Sequence, residues 1–404
     1  MAEQNNTKLN RYQILMIVCL VVLLFTIVVD YMLISALSAI IVPELHLDTS
    51  QFGILVGAYG VSAAISSLIS IALIDRFDRK SYLLFFYIGF LVGILACGLS
   101  PDYNILLASR IFTGLFGGVV GAICLTIITD LFDLKHRGRV MGFIQMSYAA
   151  GQIGGLPLAL KIANDLSWNS AYFFIAGLGI VVAVLIIRQM EPLKKHLSEN
   201  TSKRRFSESL SIVKNPKYWS VFGNNSLIVV GDIMLLTFDS LYMSTNLGLD
   251  IEQVPLVYLV TGGVTLVFGP IIGRLADHFG KYKVFLAGSL LTATCFLVYS
   301  NIESLSFGGI IAIHVLIFIG INARMVSSTS LGMSLPKVHE RGSFMAMDTS
   351  IQQLAAGISA AVVGSIVAID LERIEGYFYL GILMVVLYGI TSFLMYRIHL
   401  QVNR

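Results

Sequence analysis

Apolar stretches long enough to cross a bilayer recur twelve times along the 404-residue chain, separated by short polar clusters. A spanning helix needs roughly 20 mainly apolar residues. The approximate spans are 13–42, 51–74, 81–100, 103–130, 139–163, 168–190, 217–246, 253–276, 282–301, 305–333, 343–369 and 375–399. Hydrocarbon offers backbone groups no partner, so each span must close its own hydrogen bonds. The stretches are too continuously apolar for barrel strands, which alternate, and helices remain. Composition agrees: 56% of residues are hydrophobic and 13% charged, against about 25% charged in soluble domains. No room is left for a separate soluble domain. The polar start carries no cleavage site after a short apolar core, so the first span is expected to be retained.

Cys19, Cys97, Cys124 and Cys295 all fall within spans and none has metal-ligand spacing. They read as small hydrophobes, with no disulfide, metal or cofactor expected. Of the 27 lysines and arginines, all but Arg110, Lys161, Arg324 and Arg373 fall at the N-terminus, after even-numbered spans or at the C-terminus. That bias predicts both termini in the cytoplasm. The net charge of +3 is therefore membrane topology, and no nucleic-acid partner is expected.

The one long polar segment separates six spans from six. It divides the chain into an N-terminal bundle, 1–190, a cytoplasmic linker, 191–216, and a C-terminal bundle, 217–404. The bundles repeat. Ile74 to Lys80, IDRFDRK, returns as Ala276 to Tyr282, ADHFGKY, an offset of 202 residues that also carries Asp30 onto Asp232 and Leu47-Asp48 onto Leu249-Asp250. Arg137 to Phe143 returns as Arg341 to Met347 at 204, which places His314 at the position of Arg110. Parallel six-helix repeats are the plan of major facilitator carriers, with the substrate site between the halves.

Motifs agree with that plan. IALIDRFDRKSYL, from Ile71, resembles the major facilitator signature between helices 2 and 3, with Ile71 and Asp78 where glycines are usual. The second copy, GRLADHFGKYK from Gly273 to Lys283, keeps both glycines, Gly273 and Gly280. LLASRIFTGLFGG, from Leu106, resembles the helix-4 signature of proton-driven efflux carriers, with Arg110 at its arginine. Asp30-Tyr31-Met32, FDRKSYLLFFYIGF and RGSFMAMDTSIQQLAAG are similar to arabinose-efflux-like drug/proton antiporters. The helix-5 antiporter signature is approximated by GQIGGLPLAL, from Gly151, with its proline later. The resemblance implies an all-α fold of twelve transmembrane helices in two pseudo-symmetric bundles and secondary transport by a monomer. It also implies a bacterial inner membrane, and a role in latching the outward-open state for Asp75, Arg76, Arg79, Lys80, Asp277 and the two glycines, with Asp130 as first-half partner. The alternative is a solvated loop that only carries topology charge.

Ionisable residues at membrane depth cost several kcal/mol unless they face a wet cavity or a partner. Asp30, Arg110 and Asp232 are the candidates for proton coupling, because protonation of a buried acid favours a different state. Asp30 is read as the main proton site; the alternative is a fixed partner for Arg110. Arg324, Asp239, Asp348, His314, Gln145, Asn225 and Gln352 are candidates for substrate contact. A guanidinium suits a carboxylate or phosphate. Arg324 is equally readable as the structural partner of Asp348 or Asp239, and His314 as a proton relay or a packing histidine. Glycine pairs such as Gly117-Gly118, Gly154-Gly155 and Gly262-Gly263 read as close helix packing.

The leading function is proton-coupled efflux of a small organic solute. Uptake of an organic anion, or a non-transporting sensor or lipid flippase on the same fold, are the alternatives. No nucleophile–base pair, metal cluster or phosphate loop appears, so an enzyme is not expected.

Overall fold

The structure, a computed structural model, describes residues 10–132, 134–194, 212, 214–337, 340–370 and 373–402. Most of the predicted linker lies outside them. The first half comprises α1 (Arg11–Ala36), α2 (Ser38–Glu44), α3 (Thr49–Leu73), α4 (Arg79–Gly98), α5 (Tyr103–Leu131), α6 (Leu134–Ala150), α7 (Leu156–Asp165) and α8 (Trp168–Gln189). The second comprises α9 (Pro216–Leu236), α10 (Asp239–Thr245), α11 (Val254–Phe279), α12 (Lys281–Tyr299), α13 (Phe307–Gly332), α14 (Arg341–Ile366) and α15 (Tyr377–Val402). A two-stranded hairpin, β1 (Ala368–Asp370) with β2 (Arg373–Glu375), joins α14 to α15. The ends of the molecule are called below the linker face and the hairpin face.

Among the described residues, eleven helical stretches are long and apolar enough to cross a membrane. The fifth predicted span comes in two pieces, α6 and α7, joined by a π turn at Gly151–Gly155. Pro157 has no backbone donor and its ring crowds the carbonyl four residues earlier, so a regular helix does not run through this point.

Several repeat landmarks are helix caps. Asp48 accepts from Gln51 N at 2.7 Å and Gln51 returns the bond to Asp48 N at 3.1 Å. Asp250 likewise accepts from Glu252 N, opening the short turn before α11. The leucines before both acids are buried. The repeated Leu-Asp is thus an anchor followed by a helix start.

The halves meet along two unlike seams. At one, α3 and α14 touch backbone to backbone: a Cβ on Gly57 would lie 2.3 Å from the Gly357 carbonyl oxygen, and one on Gly53 2.5 Å from that of Ala360. Ser67 and Ser350 share a 2.8 Å hydrogen bond nearer the linker face. At the other seam, α7 and the π turn pack against α11, with Gly262 against Ile153, whereas α6 diverges from it. Toward the hairpin face the halves are tied by Thr49 Oγ donating to the Val367 carbonyl at 2.6 Å and by Asn164 donating to the Ile251 carbonyl at 3.0 Å. Leu241 N–H donates to Ser38 Oγ at 3.1 Å, and the Phe52 and Phe238 rings lie 5.3 Å apart. The hairpin end is sealed.

Candidate functional site

Among the described residues, three acid–cation pairs lie within the helical bundles, two of them fully buried and the third partly so. In the first half Arg110, seven residues into α5, places Nη1 at 3.2 and 3.1 Å from the two oxygens of Asp30 on α1, both side chains fully buried. The guanidinium also lies over the Tyr59 ring, 4.8 Å from its centroid. Tyr31, next to Asp30, packs on Tyr59 at 5.6 Å. Both partners belong to one half, so rocking of one half against the other leaves the pair intact.

In the second half His314, seven residues into α13, faces Asp239, the first residue of α10. Its Nε2 lies 3.1 and 3.3 Å from the carboxylate oxygens, and both residues are fully buried. Tyr299 and Tyr258 donate to the same carboxylate at 2.9 and 3.1 Å. His314 does occupy the place of Arg110, as the repeat implies, but its acid is Asp239 rather than Asp232, the sequence counterpart of Asp30. Asp232 instead has its own cation, Arg324 on α13, at 3.4 Å. The Arg324 guanidinium rests 3.8 Å from the Tyr388 ring centroid. Its partner is therefore neither of the two acids that the sequence offered.

Asp348 joins Asn225 and Gln352, each donating to one of its oxygens at 2.9 Å. Ser328, one turn after Arg324, donates to Asn225 Oδ1 at 2.6 Å and accepts from Asn224 at 2.7 Å. A polar ladder thus links α9, α13 and α14. Asp348 Oδ1 and Arg324 Nε and Nη2 are buried without a protein partner. Of the seven residues expected to touch substrate, Asp348, Asn225 and Gln352 form this ladder, with Arg324 one turn away on α13. Asp239 and His314 form a separate cluster. The side chains of Gln145 and of Asp75 lie outside the described residues. A cavity of about 420 Å³ between α7 and α11, lined by Pro157, Lys161, Asn164 and Glu252 among others, contains none of the buried pairs.

The signature loop is a clamp within the first half. Buried Arg79 pairs with Asp130 at 3.1 Å and donates to the Ile74 carbonyl. Lys80 Nζ donates to the carbonyls of Ile187 and Met190 at 2.9 and 2.6 Å, closing the end of α8. Such a cation complements the negative end of the helix dipole. Asp78, where a glycine is usual, caps α4 through Ser81 and accepts from Leu193 N at 2.6 Å. In the second copy, Gly280 has φ +96°, which favours glycine, and ends α11. A Cβ at Gly273 would meet nothing within 4 Å, so no close approach requires that glycine. Arg76 and Asp277 are exposed. Sequence reasoning missed Tyr388, Tyr258 and Tyr299 as partners of buried charge; no spacing distinguishes them from the other 14 of the 17 tyrosines.

The family model described as Major Facilitator Superfamily matches residues 19–360 and 224–399. An uncharacterized MFS-type transporter, YceJ of Bacillus subtilis (strain 168), is 25% identical over 275 residues, 66% of this chain and 68% of its own. Multidrug resistance protein 2 of the same organism is 22% identical over 86% of this chain and 87% of its own. Among solved structures, a bacterial homolog of the human lysosomal transporter Spinster, inward-facing and occupied, superposes with TM-score 0.77 at 15% identity, covering 97% and 98% of the two chains. The nucleoside transporter NupG, in a mutant form, gives 0.75 at 9%, covering 95% and 99%.

Proposed function

This chain belongs to the Major Facilitator Superfamily and is an integral membrane transporter, not an enzyme; from that premise we propose that it exports a small organic solute by alternating access, in exchange for protons. The observation that carries the reading is the buried charge: acid–cation pairs at membrane depth in both halves, on helices that meet at a sealed hairpin end. Fixed charges in hydrocarbon are retained where they bind a solute, move a proton or satisfy one another. The positive loops support a cytoplasmic linker face. The present state is then closed outside, with α6 and α11 diverging inside. The likeness to Multidrug resistance protein 2 supports the outward direction.

Substrate meets the Arg324, Asp348, Asn225 and Gln352 face of the second half, and Asp30 with Arg110 is the coupling pair of the first. Releasing Asp30 requires a shift of α1 against α5. In proteoliposomes, an imposed proton gradient should drive solute movement opposite to the protons, and Asp30→Asn should abolish substrate-driven proton flux. Wild-type flux in that variant removes Asp30 from the role. A second reading, uptake of an organic anion with protons, is favoured by the unpartnered Nε and Nη2 of Arg324, which suit a carboxylate. Accumulation driven by an inward proton gradient would select it.

A further inference from the structure

The geometry points to a second proton site, the His314–Asp239 pair, whose occupancy holds the hairpin-face gate shut. His314 Nδ1 lies 2.8 Å from the Ile310 carbonyl oxygen, which only accepts. Nδ1 therefore carries a proton. Nε2 faces both oxygens of Asp239, and these already accept from Tyr258 and Tyr299. A neutral imidazole protonated at Nδ1 would aim its lone pair at a carboxylate at 3.1 Å, both side chains being fully buried. One additional proton between Nε2 and the carboxylate turns that repulsion into a charge-assisted hydrogen bond. The site thus holds a proton that Asp30 and Asp232 do not need, because each of those faces a guanidinium that stays charged.

The surroundings fit. The titratable groups facing the pair are Tyr258 from α11, Tyr299 from α12 and, behind them, Tyr242 from α10 and Tyr377 from α15, stacked at 4.2 Å. Among the described residues no other cation stands within ion-pair distance of Asp239.

The link to the gate is covalent and short. Asp239 opens α10 just after the break that separates it from α9. One residue before it, Phe238 packs on Phe52 of the first half; two residues after it, Leu241 N–H donates to Ser38 Oγ. Loss of the proton pushes Asp239 from His314 and swings α10, breaking both contacts. The sign follows: the protonated pair keeps the hairpin face closed, and raising pH opens it. On the proton-exchange reading, on which this proposal rests for its role in transport, protons arriving from outside would close the outer gate behind them.

Spin labels at Glu44→Cys and Glu252→Cys, both exposed on the hairpin face of opposite halves, report the gate once the four native cysteines are replaced by alanine. In detergent without solute, the longer-distance population should grow as pH rises. Asp239→Asn, whose amide can donate to Nε2, should hold the short distance at every pH. Asp102→Asn, at an exposed helix-capping acid outside the buried pairs, should respond as the parent does. Size-exclusion profiles check folding, and His314→Gln carries the same expected loss of pH response should Asp239→Asn fail to fold. A parent distance that ignores pH, or a wild-type response in folded Asp239→Asn or His314→Gln, overturns the proposal. No flux is measured, so failure of proton exchange in vesicles would leave a titrating gate distinguishable.

Discussion

In the first half the cation seven residues into the fourth spanning helix is Arg110, held by Asp30; in the second half the same place is filled by His314, held by Asp239. Both pairs are fully buried. Arginine cannot give up its charge, so the first pair stays ionised for as long as the two side chains meet, and Asp30 is freed for a proton only when α1 shifts against α5. Histidine, unlike arginine, can give up its charge, so on the proposal above the second pair is a contact whose existence depends on a proton. The second half adds a pair that the first lacks, Asp232–Arg324, where the acid side chain keeps 15% exposure. One scaffold used twice thus yields one locked charge, one titrating charge and one that reaches solvent.

The largest effect should come from unlocking the first of these. Arg110→Met leaves the Asp30 carboxylate buried opposite a thioether, and removing one partner of a buried pair costs about 3–5 kcal/mol. The variant should unfold at a markedly lower temperature in detergent. The double variant with Asp30→Asn should recover part of the loss, because the stranded charge is gone. Arg324→Met should cost less, between that range and the ~1 kcal/mol ceiling of exposed pairs, since water reaches Asp232. Equal losses in the two halves would end the distinction drawn between them.

Much of this was legible in the sequence, and the remainder was not for identifiable reasons. Span number, the Asp30–Arg110 pairing and the Arg79–Asp130 contact follow from hydropathy, from scarcity of charge in apolar runs, and from motifs. The repeat placed His314 correctly but does not point to its acid. A 202-residue offset aligns Asp30 with Asp232, yet the acid that reaches the histidine is Asp239, two turns later, whose first-half counterpart is Leu37; both halves break here, between α1 and α2 and between α9 and α10, and only the second puts an acid at the break. A helix break without proline or glycine leaves no mark in sequence. The seam glycines show the same limit. Gly117 and Gly118 do pack closely, against Tyr59, Phe90 and Ala63, but Gly154 and Gly263 have nothing within 4 Å of a Cβ. The tightest inter-half contacts fall instead on Gly53, Gly57, Gly357 and Gly364. Which glycine meets another backbone depends on the partner helix, far away in sequence.

A middle-sized effect should separate the titrating pair from the locked one. Tyr299→Phe removes a hydroxyl that donates to Asp239 at 2.9 Å and leaves the ring, which meets His314 edge-on at 5.0 Å. A hydrogen bond to a charged group is worth about 1.5–3 kcal/mol. The thermal midpoint should fall accordingly. The matching change beside the locked pair, Tyr59→Phe, should be close to neutral, because Tyr59 meets Arg110 through its ring face and that face is kept. A loss at Tyr59 as large as that at Tyr299 would show that both halves rely on hydroxyl donors after all.

The smallest effect sharpens the comparison between the two guanidiniums. Arg324 lies 3.8 Å from the Tyr388 ring centroid and Arg110 4.8 Å from that of Tyr59. Lysine keeps the charge but not the planar stacking, and a desolvated cation–π contact is worth roughly 1–2 kcal/mol. In double-mutant cycles, Arg324→Lys with Tyr388→Leu should show a coupling of about 1 kcal/mol or more, and Arg110→Lys with Tyr59→Leu a weaker one. The cycle isolates the pair only if each single variant folds, which the same melting curves report. Coupling that is stronger at Arg110 would mean that the distance to the ring is not what ranks these contacts. The planar fork of Arg324 would then be retained for what it meets outside the protein, and solute binding rather than melting would be where Arg324→Lys shows its loss.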